Sequence, residues 1–103
     1  MYRSGIGNWS DTMANRCSQT VTIVNQLGLH ARAATKLAQL CQRLDAKIEL
    51  QQEGKTADAS SVLALLMLAS SKGKNVEVIS SGNEAEAALQ AVVELISNGF
   101  DEN

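Results

Sequence analysis

Apolar positions along the chain change their period several times, and each change marks an element. In TVTIV, Val21 and Ile23 alternate with threonines, a period of two that predicts a strand from Thr20. Past Gly28, the residues Ala34, Leu37, Ala38, Cys41 and Leu44 recur at helical spacing and predict a helix over about 31–43. AKIELQQ alternates again through Ala46, Ile48 and Leu50, Gly54 supplies a turn, and KTADA returns as the short second arm of a hairpin. Ser60 or Ser61 then opens a second helix through SVLALLMLASS, which stops near Gly73. NVEVISS alternates Val76 and Val78 as another strand. In the last helix Ala85, Ala88, Leu89, Val92, Val93 and Ile96 form one stripe. Asn83 and Glu86 stand at capping-box spacing before it, and Gly99 follows as a stop. The order is βαββαβα. Strands with one apolar face and helices with one apolar stripe are satisfied by a two-layer α+β sandwich, with helices on one side of a mostly antiparallel sheet. Residues 1–18 show no period and read as a flexible tail before a domain at 19–103, with Met13 as a candidate natural start.

Composition narrows the function classes. A chain of 103 residues, 45% hydrophobic and 19% charged, has room for one small core and is far from the profile of disorder. A net charge of −2 offers no general attraction to nucleic acid or to anionic membranes, so any phosphate recognition has to be local. One Trp, one Tyr and one Phe cannot build a base-stacking surface. Cys17 and Cys41 form no C-x-x-C pair and read as free thiols of a reducing compartment. With no signal peptide and no span-length apolar segment, the expected location is the cytoplasm.

The chain uses histidine once, at His30, in the place where a helix N-terminus usually carries Ser, Thr, Asp or Asn. With His30 there, the backbone N–H groups of Ala31, Arg32 and Ala33 are left to meet an anion. The helix dipole and the Arg32 guanidinium add positive charge at the same point. Both also disfavour an imidazolium, so a neutral, nucleophilic ring is expected near pH 7. Such a ring can attack a phosphoryl group, and its surroundings stabilise the charge that follows. H-x-R alone is a weak pattern, since a single histidine in a small domain is more often a surface or capping residue than a reactive one. A metal site lacks a second His or paired Cys, and a Ser-His-Asp hydrolase lacks a G-x-S-x-G elbow.

GLHARAATKLAQL, GKTADASSVLALLML, KGKNVEV and LISNGFDEN together resemble the histidine-containing phosphocarrier family, HPr, and most closely its nitrogen-related branch. The resemblance runs from about Thr20 onward. It implies four antiparallel strands with three helices on one face. It also implies a monomeric bacterial carrier that is not an enzyme and uses no cofactor or metal. His30 would accept a phosphoryl group on Nδ1 with Arg32 as its charge partner. The donor would be enzyme I of a nitrogen-related phosphotransferase system, and the recipient a nitrogen-type IIA protein. The alternative is a regulatory interaction module of the same fold in which the histidine is incidental.

The family pattern H-x-R-P is broken by Ala33, which restores an N–H where proline has none. Ser61 aligns with a serine phosphorylated in some relatives, but a helix cap is the favoured reading. Thr35 and Lys36 read as ordinary helix-surface residues. The second helix is too apolar for a half-exposed element: by resemblance Leu65 and Leu68 point inward. Val62, Leu63, Leu66 and Met67 are left as a candidate partner-docking stripe.

Overall fold

Residues 15–102 are described by the computed structural model, and each change of period along them coincides with an element. The chain runs β1 (Arg16–Thr22), α1 (Ala31–Gln42), β2 (Lys47–Gln52), β3 (Lys55–Asp58), α2 (Val62–Leu68), β4 (Asn75–Ser81) and α3 (Ala85–Ser97), then a 3-10 turn (Gly99–Asp101). Most of the expected tail, with Trp9 and Met13, lies outside the described residues.

The four strands form one antiparallel sheet in the order β1-β4-β2-β3. Register aligns the apolar alternations: Val21 faces Val76, Leu50 faces Val78, and Leu50 also faces Ala57. Each strand thereby turns its apolar residues to the helices and most of its polar ones away, with Gln52 and Ser80 the buried polar residues of the inner face. β2 and β3 are joined by Glu53 and Gly54, both at positive φ (50° and 84°), as a two-residue hairpin loop requires. Helix α3 packs on β1 and β4, and α2 on β3 and α1. Ile23, Leu37, Leu50, Leu65, Val92, Ile96 and Phe100 are fully buried between the layers. Each of these side chains contributes about 2 kcal/mol by removal from water. The two-layer open-faced α+β sandwich is therefore as expected.

Three local expectations change. β1 begins at Arg16, so residues 16–18 belong to the sheet and not to a tail. Their ladder partners are Ser81, Ser80 and Ile79 of β4, and as an edge segment they carry too few apolar residues to show a period. The capping box before α3 does not form: the cap is Glu84, whose side chain makes no capping bond and instead accepts from Asp45 N at 3.1 Å, while the Asn83 amide donates to Asp45 Oδ2 at 3.1 Å. Gly99 ends α3 at φ +65° as expected, but the chain then makes a further tight turn that leads back to α1.

Candidate functional site

The loop between β1 and α1 is tied down at both ends. The backbone of Ile23 exchanges bonds with Lys74 O at 2.9 Å and Gly73 N at 2.8 Å. A turn follows in which Gly28 N donates to Asn25 O at 3.1 Å, and Gly28 takes φ +65°. A Cβ on Gly28 would lie 2.7 Å from Ser70 O and 2.8 Å from Ser71 Cα, so only glycine lets the loop rest against the chain leaving α2. Leu29 is buried, and its N–H donates to the same Ser70 carbonyl at 2.9 Å. Ser70 is itself held, its hydroxyl donating to Gln52 Oε1 at 2.5 Å.

These ties deliver His30 to the mouth of α1. Its backbone is extended (φ −80°, ψ −178°) and its carbonyl accepts from Ala34 N at 2.8 Å, which makes it the N-cap, as its position predicts. Its side chain does more capping than expected. Nδ1 accepts from Arg32 N at 3.3 Å, so that N–H is already directed at the ring nitrogen instead of standing unused. Ala31 and Arg32 line the cleft in front of the ring, whereas Ala33 is buried and does not line it. Arg32 is exposed, and among the described residues its guanidinium forms no ion pair.

Two residues in the cleft were not singled out from the sequence. Glu102 places Oε2 2.5 Å from His30 Nε2, with both side chains about four-fifths buried at 19% and 24% exposure. Asn25, buried, donates from Nδ2 to Glu102 Oε1 at 3.1 Å and to Gly28 O at 2.7 Å. The Asn25 amide, and then the imidazole, hold the Glu102 carboxyl below the usual carboxylate range. An ionised carboxylate only accepts, so the proton between the two groups sits on Nε2. Nδ1 then carries the lone pair, facing the Arg32 N–H and the cleft. The cationic surroundings of the ring, Arg32 and the helix N-terminus, are local in sequence. The carboxylate opposes them, and so the ring lies between two charges of opposite sign.

Glu102 reaches the ring because of the turn before it. Phe100 and Asp101 adopt left-handed conformations (φ 57° and 62°), unusual for residues with side chains. The burial of Phe100 offsets that strain, and Lys36 Nζ donates to Phe100 O at 2.8 Å. Lys36 is thus not an ordinary surface residue, and pins the segment that carries Glu102. Thr35 bonds back to Ala31 O at 2.7 Å within the helix.

On α2, Ser61 is the N-cap and accepts from Ala64 N at 3.2 Å, in agreement with the capping reading. Leu65 and Leu68 are buried, while Leu63, Leu66 and Met67 are exposed at 69%, 38% and 72%. Val62 departs from the expected stripe: it is partly buried and packs on the core, because the first turn of α2 leans on the sheet. Val24 and Leu27, beside His30, add further exposed apolar surface. The described residues hold no cluster of three or more His, Cys, Asp and Glu suited to a metal, and no helix long and apolar enough to cross a membrane.

An open-faced sandwich that presents a histidine at the start of its first helix has the architecture of small phosphoryl carriers. Comparison with known proteins places the chain more closely. Residues 17–98 match the family described as "PTS HPr component phosphorylation site". The chain is 52% identical over 86 residues to phosphocarrier protein NPr of Escherichia coli K12, covering 82% of this chain and 96% of that one. It is 41% identical over 83 residues to phosphocarrier protein HPr of Pseudomonas aeruginosa, covering 80% and 92%. The fold superposes on a crystal structure of HPr from Thermoanaerobacter tengcongensis with a TM-score of 0.81 at 31% identity, covering 84% and 98%. The chain belongs to the HPr family: it is a phosphocarrier of the phosphotransferase system, with the NPr proteins among its relatives, and a phosphoryl carrier rather than a catalytic enzyme. Membership of that family implies exchange with phosphotransfer partners such as enzyme I and IIA proteins.

Proposed function

We propose that His30 is the phosphoryl acceptor and that the chain serves a nitrogen-related phosphotransferase system in the cytoplasm. It would take the group from the phosphorylated enzyme I of that system and pass it to a nitrogen-type IIA protein. The observation that carries this reading is the placing of the ring at a helix N-terminus, in a residue that lines a cleft: Nε2 is occupied by Glu102, while Nδ1 meets only the Arg32 N–H at a long 3.3 Å. In the forward step Nδ1 attacks the donor's phosphoryl group. The N–P bond forms as the donor's N–P bond breaks, and the electron pair returns to the donor imidazole. The incoming oxygens meet the Arg32 N–H, the Ala31 backbone and the helix dipole, and the Arg32 side chain swings onto them. Ala33 adds its N–H to the first turn behind them. The exposed Leu63, Leu66 and Met67, with Val62 at their margin, supply a docking surface that donor and recipient share in turn.

Incubation with a nitrogen-type enzyme I and phosphoenolpyruvate, followed by intact mass measurement, tests this reading. One phosphate is expected, stable in base and labile in acid, and absent from His30→Ala. Labelling that persists in His30→Ala removes His30 from the mechanism.

A further inference from the structure

Asn25 carries an anomaly that packing does not explain. Its side chain is 94% removed from solvent, since its exposure is 6%, yet Oδ1 has no hydrogen-bond partner among the described residues. A buried acceptor left unsatisfied is destabilising, and an apolar side chain of similar size would avoid that penalty. What asparagine provides instead is a pair of donors on one nitrogen. One fastens the loop at Gly28 O, two residues before His30, and the other fastens Glu102 Oε1, 77 residues away along the chain. Asn25 therefore joins the loop that bears the histidine to the segment that bears its carboxylate.

We propose that Asn25 is the positioning residue of this site: through Glu102 it fixes the proton on His30 Nε2 in the free and the phosphorylated protein alike. This rests on His30 as acceptor. In the free protein a carboxylate held by Asn25 keeps the ring in the Nε2–H tautomer, so Nδ1 is always the nucleophile. Phosphorylation at Nδ1 leaves that proton in place and makes the ring cationic. The carboxylate stabilises the cation, and the ring then departs as a neutral imidazole when the recipient attacks phosphorus. The N–P bond breaks, its electron pair returns to Nδ1, and the Nε2 proton stays on the ring throughout. Loss of that proton would leave an anionic imidazolate as the leaving group and stop onward transfer. The other charged groups of the cleft are Arg32, Lys36, Lys72 and Asp101. Lys36 is bonded to Phe100 O and Lys72 to Gln26 Oε1, and Glu102 is the carboxylate at hydrogen-bond distance from the ring.

The test uses Asn25→Leu, Asn25→Ser, Glu102→Gln and the double variant Asn25→Leu/Glu102→Gln in the full chain. Nitrogen-15 spectra of the imidazole report the tautomer without any partner protein. Wild type should be almost entirely Nε2–H, and each single variant a mixture of tautomers. Onward transfer from the phosphorylated protein should slow about tenfold in each, with its pH profile displaced to lower pH. In the double variant the Asn25 substitution should add nothing, because its effect passes through the carboxylate. A wild-type ring of mixed tautomer overturns the proposal, as does an Asn25→Leu effect that persists undiminished in the Glu102→Gln background. Asn25→Ser covers the case in which Asn25→Leu fails to fold, and Glu102→Gln alters a partly exposed group. Failure of wild type to accept phosphate from enzyme I would instead overturn the acceptor assignment and leave the tautomer result standing.

Discussion

Arg32 stands beside a ring whose other side faces a carboxylate, and the two charges have different tasks. Glu102 lies against the imidazole, while in the proposed mechanism the Arg32 guanidinium acts on the phosphoryl group that Nδ1 would carry. Arg32→Ala should therefore slow phosphoryl acceptance by at least about tenfold and shorten the life of the phosphorylated form, with the wild-type tautomer retained. Arg32→Lys should restore only part of the rate, because a point charge lacks the planar fork; rapid-quench kinetics check both. The cysteines make a contrasting case. Burial, and then the charge of Asp58, push the Cys41 thiol up to about 12, so it is inert near neutral pH. Alkylation at pH 8 should leave Cys41 unmodified until denaturant is added, and mass spectrometry of peptides would show it. His30 and Arg32 were legible in the sequence because cap position and charge are local properties. Asn25 and Glu102 were not, since neither has a local signature and the bonds that bring Glu102 to Asn25 and to His30 span 77 and 72 positions.

At the scale of elements, the proposed function rests on the loop from β1 to α1 and on helix α2. Gly28→Ala combines an unfavourable φ with contact distances of 2.7 and 2.8 Å to backbone atoms that cannot move freely. It should lower the melting temperature by several degrees and slow transfer, through displacement of Leu29 and His30; calorimetry and kinetics together separate the two effects. Helix α2 divides by face. Leu65→Ala should cost about 2–5 kcal/mol in chemical denaturation. Leu63→Glu or Met67→Glu should leave stability within about 0.5 kcal/mol and weaken binding of both partners in titration calorimetry. The sequence showed that α2 had more apolar surface than one core could use. It placed Val62 in the wrong group, because a residue in the first turn can still lean on the sheet. The absent capping box at α3 has a similar cause: Asn83 found Asp45 across a loop, a contact that spacing cannot reveal.

For the molecule as a whole, the element order and the sheet's apolar face were readable because β2, β4 and the end of β1 alternate and α1 and α3 each keep one apolar stripe. The early start of β1 was hidden because an edge strand of Arg, Cys and Ser shows no period. Acid stability belongs at this scale. The Asp58 carboxyl is held below its ordinary value by the Ser60 hydroxyl and then the Ser60 backbone N–H, and Glu102 by Asn25 and His30. A carboxyl lowered in the folded state adds stability that is present at neutral pH and is lost as pH falls through the folded value. Urea midpoints should thus decline below about pH 4, and Asp58→Asn should flatten part of that decline.

The left-handed turn at Gly99–Asp101 has one more consequence, for the order in which the molecule comes together during synthesis. His30 emerges early, and the carboxylate that meets it follows 72 residues later. By then all four strands and all three helices have been made. The imidazole therefore waits, without a fixed tautomer, until Phe100 inserts and Lys36 clamps the turn. On the proposed role of His30, phosphoryl competence follows the closing of the contact between the start of α1 and the turn after α3.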